Sequence, residues 1–256
     1  SDVCSSDLGE YNKHYGCFRP IAPVLPSTPA HLRINNVTIT SRYREQMQRA
    51  ISEPIYMDYL MKRFEWSNSV IRDIAWKSLK LALVRIQRTV LVTKLCNDLL
   101  PTNARQVKMN LAPTGECPVC NNLETFDHLL RCECAARATW RSRYTGGLRT
   151  VLMAKRTHPN IIQCLVECFD EWFLEATVEP EKHPIEFRTA IISQNRIGWR
   201  HWFMGKVSVD WLRIYGMMTS KTDRDETDEE LWGRKVVEYT VRHIMELWES
   251  RDRKST

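Results

Sequence analysis

From about residue 41 almost to the end of the chain, apolar side chains recur three and four positions apart, the period of a helix with one buried face. The pattern is interrupted at Pro54, Pro101, Pro113, Pro118, Gly146-Gly147, Pro159, Pro180 and Pro184, and in the acidic run at 223–230, which is expected to be an exposed loop. This predicts a mainly α chain, a multi-helix, bundle-like region with at most a short β-hairpin. The hairpin is expected in LRINNVTI, where Leu32, Ile34, Val37 and Ile39 alternate around Asn35-Asn36, with Thr40 or Ser41 capping the helix that follows. One long helix is predicted from about Trp76 to Leu99. At 100° per residue it places Leu79, Leu83, Ile86 and Val90 on one side and Lys77, Lys80, Arg85 and Arg88 on the other. Prolines 20, 23, 26 and 29 favour extended polyproline conformation, so 9–30 is expected to be a linker. Helical regions are expected over 31–158 and 159–256. Ser1 to Leu8 match what one reading frame of a sequencing-adapter oligonucleotide encodes, so 1–8 are expected to be foreign and the rest the C-terminal part of something longer.

Composition narrows the class. With 256 residues, 43% of them hydrophobic and 27% charged, the chain has enough apolar material to fold. It has neither an apolar run of membrane-spanning length nor an apolar signal core near its start, so an intracellular protein of cytoplasm or nucleus, without a membrane partner, is expected. The formal charge is +6, and its distribution is uneven: after the cationic face at 77–88 comes Arg131, Arg137, Arg141, Arg143, Arg149, Lys155 and Arg156, opposed only by Glu133.

Cysteine placement adds a chemistry. The nine cysteines are odd in number and mostly scattered, which disfavours a disulfide framework, yet ECPVCNNLETFDHLLRC (116–132) gathers three of them with a histidine. Cys117 and Cys120 have the spacing at which one tight turn points both sulfurs at one ion, with Gly115 and Pro118 supplying turn chemistry. Thr125 can cap a helix from Phe126, with Asp127 in its first turn, and His128 and Cys132 then stand one turn apart. Cys134 competes for the last position but lies roughly 240° around the helix from His128, so Cys132 is the expected ligand. Soft thiolates with one imidazole predict a single structural Zn2+ held by Cys117, Cys120, His128 and Cys132 in a knuckle spanning 115–135. Cys164 and Cys168, four apart, have no partner pair near in sequence and are expected to be buried thiols. His158, His183, His201 and His243 form no constellation.

These residues carry a resemblance. KLCNDLLPTNARQ followed by ECPVCNNLETFDHLLRCECA resembles the zinc-binding region downstream of the polymerase in non-LTR retrotransposon reverse transcriptases, where a Leu-Pro-Thr turn precedes a cysteine pair, a Glu-Thr and a His-Leu-Leu. YLMKRFEWSNSVIRDIAW before it, and QNRIGWRHWFMGKVSVDW and LWESRDRK after it, are similar to versions of that region in unicellular algae and related protists. Relatives often have four residues between the histidine and the last cysteine where this chain has three, which keeps Cys134 in play. The resemblance implies a polymerase domain upstream in the same polyprotein, and RNA or DNA as partner.

The chain itself lacks the chemistry of such an enzyme. In YMDY (56–59) Tyr59 stands where a second Asp would be needed, so Asp58 alone cannot hold two metals. There is no His-x-Glu for a zinc deaminase, no second cysteine pair for an HNH-type nuclease around Asp127-His128, and no carboxylate set for a restriction-like endonuclease or a ribonuclease H. Binding is therefore the expected activity, with Lys77, Lys80, Arg85, Arg88, Arg137, Arg141 and Arg143 on phosphates. The rival is a zinc-stabilised protein-interaction module. Trp199, Trp202 and Trp211 are interleaved with cations but are also spaced as helix core, the expected role. Trp232, Val236, Tyr239, Ile244 and Leu247 form a second such stripe.

Overall fold

The computed structural model describes residues 33, 34, 37–86, 89–219 and 228–252, so the expected adapter remnant, the proline linker and Arg88 lie outside the described residues. The chain divides into two units, 1–58 and 59–256. The first holds the expected hairpin, two antiparallel strands β1 (Arg33–Ile34) and β2 (Val37–Thr38) with Ile34 opposite Val37. It also holds most of helix α1 (Tyr43–Phe64), in which Pro54 lies. The expected break there does not occur. A proline removes one backbone hydrogen bond, and a helix of 22 residues keeps its bonds on both sides of that gap.

The second unit is all helix apart from turns. In order come α2 (Asn68–Asp73), α3 (Trp76–Ile86), α4 (Val90–Cys96), α5 (Asn103–Lys108), α6 (Phe126–Arg131), α7 (Ala135–Ala154) and α8 (Pro159–Glu175). A 3-10 turn (Pro180–Lys182), α9 (Ile185–Ile197), α10 (Trp199–Trp202), α11 (Val209–Met218) and α12 (Asp228–Asp252) complete it. None of the described helices is long and apolar enough to cross a membrane.

Three sequence expectations are corrected. The helix expected over 76–99 is two: Thr89 is extended and its hydroxyl accepts the Val92 N–H at 3.2 Å, which starts α4 afresh. The restart turns the apolar face, so Val92, Leu95 and Cys96 are buried and Val90 is 74% exposed. Gly146-Gly147 does not end α7. A side chain on Gly147 would overlap the Tyr239 hydroxyl, so glycine is there to let α12 approach. Asp228, Glu229 and Glu230 are not loop but the first turn of α12, where acids favour the helix dipole, and Glu230 pairs with Lys77 at 2.5 Å.

The core also ignores the expected boundary at 158/159. The last helix, α12, packs along α3 and α7, and the Trp232 indole donates to Thr157 Oγ1 at 2.9 Å. Between α7, α8 and α10 lies an aromatic cluster of Trp140, Tyr144, Phe169, Phe173, Trp202 and Phe203, all buried. The Trp202 indole donates to Tyr144 Oη at 3.0 Å and Trp199 to Asn195 Oδ1 at 2.7 Å, so these tryptophans bury their rings with the N–H groups partnered. Trp199, Trp202 and Trp211 are thus core, as their spacing predicts, and unavailable for base stacking.

A lysine lies inside this unit. Lys206 is fully buried, donates to the carbonyl of Cys96 at the end of α4, and sits 5.4 Å from the centre of the Phe64 ring. Burial lowers its pKa to about 8, with Arg200 and Arg63 adding to the effect and Asp98 opposing it. Between pH 8 and 10.5 the unfolded lysine therefore holds a proton that the folded one has lost, so stability rises with pH across that window. The folded state carries a penalty of roughly 3 kcal/mol below it. Lys206→Met removes the penalty. The stability difference between K206M and the parent, measured by urea unfolding, is expected to shrink as pH is raised from 7.5 to 10, and a difference independent of pH would refute the assignment.

Candidate metal centre

The chain between α5 and α7 is built as a turn followed by a short capped helix. The N–H of Cys117 donates to Asn122 O at 2.7 Å, that of Asn121 to Cys117 O at 3.0 Å, and Glu116 and Leu123 close the turn as a β-bridge. Asn121 sits at φ 61°, a left-handed conformation that asparagine tolerates better than most residues. The next residues start α6 as the sequence predicts: Thr125 is extended and accepts the His128 N–H at 3.1 Å. Cys132 ends the helix with its N–H on His128 O at 2.7 Å, so the two side chains share one face.

These two pieces bring one ligand atom each of Cys117, Cys120, His128 and Cys132 within 4.8 Å of one another. Cys120 Sγ is 3.8 Å from Cys132 Sγ and 3.2 Å from His128 Nε2. Bonds of about 2.3 Å from sulfur to a tetrahedral zinc imply sulfurs about 3.8 Å apart, so the cysteine separation already fits such an ion. Cys134 stands at the residue before α7, without a capping side-chain hydrogen bond, and is not a member of the group. The Asn122 N–H holds the Cys120 thiol below its ordinary pKa, while burial pushes Cys132 up to about 12. Burial also lowers His128, which keeps the imidazole neutral near pH 7 with a lone pair to offer. Three thiolates around a divalent ion leave one excess negative charge, and a cation is at hand. The Arg141 guanidinium donates to Cys132 O at 2.8 Å and Leu130 O at 3.3 Å, 5.8 Å from the centre of the Phe173 ring.

A buried ion pair holds the group from the other side. Arg251, near the end of α12, donates through Nε to Glu124 Oε1 at 2.8 Å and through Nη2 to Asn103 Oδ1 at 2.7 Å. Glu124 also accepts the Asn103 N–H at 2.9 Å, and the guanidinium lies 4.7 Å from the centre of a Trp248 ring. Glu124 is 1% exposed and Arg251 7%. Asn103, which directly follows Leu100-Pro101-Thr102, Glu124 and the closing Trp248 and Arg251 therefore meet at one place.

The cations expected on phosphates fall into different situations. Lys80, Arg85 and Arg143 are exposed, Arg137 is half-buried, Lys77 is exposed but paired with Glu230, and Arg141 is engaged on the knuckle backbone. In the core α12 lies against both α3 and α7, the helices that carry most of the two basic segments. A third basic group was not visible in the sequence. Arg63, Arg105, Lys108 and Arg200 line a cleft of about 430 Å³ with Asp98 and Asp127, at the start of α6. Arg200 lies 3.0 Å from Asp98 and 3.2 Å from Asp127, while Arg63 and Arg105 donate to the Asp98 carbonyl. Four cations against two carboxylates leave the cleft positive. Asp127-His128 thus divides its work between this cleft and the metal group. No family model, curated protein or solved structure matches the chain.

Proposed function

We propose that this chain is a zinc-stapled helical module that holds RNA or single-stranded DNA through phosphate contacts, as part of a retroelement reverse transcriptase whose polymerase domain lies elsewhere. The observation that carries the reading is that Asn103, directly after Leu-Pro-Thr, Glu124 of Glu-Thr and Arg251 of Trp-Glu-Ser-Arg share one buried ion-pair network beside the Cys-Cys-His-Cys group. Motifs scattered over most of the chain make sense together if they brace a single site. The exposed Lys80 and Arg85 on α3, Arg143 on α7 and the cleft around Arg200 supply the positive charge. Because the clustered tryptophans are buried, contact falls to the cations, which give affinity without sequence choice. Zinc in this reading does no chemistry; it fixes the loop against α6.

Anisotropy titration of a labelled single-stranded RNA at two salt concentrations tests this. Affinity is expected to fall steeply with salt, and K80E/R85E should bind all sequences about tenfold more weakly, with a log–log salt slope shallower by roughly 1.4. Absence of binding at low salt by folded, zinc-loaded protein would turn the reading to the second one, a protein-interaction module. An observation favours that alternative: Tyr43, Met47, Ile51 and Ile55, spaced four apart along α1, are between 48% and 67% exposed.

A further inference from the structure

Helix α8 carries a second set of soft donors. Cys164 and Cys168 stand one turn apart on its buried face, 2% and 0% exposed. At its end Ala176 takes a left-handed conformation (φ 64°), and the chain doubles back through the 3-10 turn at Pro180–Lys182. This return places His183, 6% exposed, against the two thiols. Its Nδ1 lies 3.9 Å from Cys164 Sγ and its Nε2 3.8 Å from Cys168 Sγ, and two sulfurs and a ring nitrogen all fall within 4.8 Å.

Carboxylates surround the ring. Glu171 Oε2 is 3.0 Å from His183 Nε2, and its other oxygen accepts the Glu179 N–H at 2.9 Å and lies 3.6 Å from Lys182 Nζ. Glu167 Oε2 is 3.9 Å from Nδ1 on the opposite side. Packing alone does not account for this: a core position served by a small apolar side chain does not call for two thiols, a desolvated imidazole and a carboxylate fixed on the imidazole's second nitrogen. Metal-binding histidines commonly have that carboxylate partner, which sets tautomer and ring orientation.

We propose that Cys164, Cys168 and His183 form a second zinc site, with Glu171 as the positioning residue that accepts the Nε2–H and turns Nδ1 toward the ion. Two thiolates and an imidazole suit a borderline-soft divalent ion, and Glu167 is the group at hand for the fourth position. The ion would pin the return between α8 and α9, which forms one wall of a groove lined by Trp172, Val178 and Asn195.

The test is the zinc content of the full-length chain, loaded with zinc and freed of excess by gel filtration, with Cys132→Ser and Cys168→Ser variants beside it. Two equivalents in the parent and one in each variant are expected. One equivalent in the parent that disappears in C132S would overturn the proposal; one that disappears only in C168S would uphold it and sink the knuckle site instead. A count of two in the parent upholds the proposal even if a variant fails to fold, and a parent that holds no zinc would overturn it. E171Q keeps every ligand, so a competing chelator should find one zinc held about ten- to a hundredfold less tightly, whereas a packing role for Glu171 would leave the affinity unchanged.

Discussion

Cys132→Ser is expected to release one zinc equivalent per chain relative to the parent and to loosen residues 112–135, while Cys134→Ser releases none. The geometry makes the two cysteines unequal: Cys132 Sγ is 3.8 Å from Cys120 Sγ and lies in the four-ligand group, whereas Cys134, at the start of the next helix, lies outside it. The effect is large because the site's local fold has little else to hold it. Among residues 112–125 only Cys117 and Glu124 are buried, and a metal that binds only the folded loop contributes its binding free energy to folding. That contribution is on the order of 10 kcal/mol for zinc-finger peptides at pH 7. Mass spectrometry of the native protein counts the ions, and hydrogen exchange locates the loosening. Retained zinc with unchanged protection of 112–135 in C132S would show that Cys132 is no ligand. Because the ligands must be deprotonated, zinc should also be lost on acidification.

Arg251→Ala is expected to destabilise the zinc-loaded protein by roughly 3–5 kcal/mol, the typical cost of leaving a buried charge without its partner. Glu124 is 1% exposed, and removal of Arg251 would leave it only the Asn103 N–H. Glu124→Leu with Arg251→Met should recover most of that loss, because an apolar pair avoids the desolvation of both charges. Urea unfolding at fixed free zinc measures both. A single-variant loss under about 1 kcal/mol would place the pair in the class of solvent-screened ion pairs and remove it as the clamp on the metal loop.

The knuckle and the clamp were unequally legible. Everything that forms Cys117, Cys120, His128 and Cys132 into one group acts over sixteen residues: the turn between the cysteines, the Thr125 cap and the helical turn from His128 to Cys132. Spacing encodes such short-range geometry directly. The helical class, the hairpin at 33–38 and the burial of Trp199, Trp202 and Trp211 followed in the same way from period and turn residues.

Other features were settled only where distant segments pack. Glu124 and Arg251 are 127 residues apart, and neither has a local signature that names the other. His183 meets Cys164 and Cys168 because a left-handed residue and a 3-10 turn fold the chain back on α8, a path that residue spacing does not reveal. Arg63, Arg105 and Arg200 come from three helices into one cleft, and Gly147 is explained by Tyr239 on a helix it meets only in the folded core. What the sequence determined by itself is therefore the helical class, the Thr125 cap and the contiguous Cys-Cys-His-Cys group, each governed by hydrogen bonds within a few residues. The tertiary structure decided the buried ion pair, the second cysteine–histidine group and the placement of charge, because these depend on which helix faces meet, and hydrophobic burial drives that meeting without regard to distance along the chain.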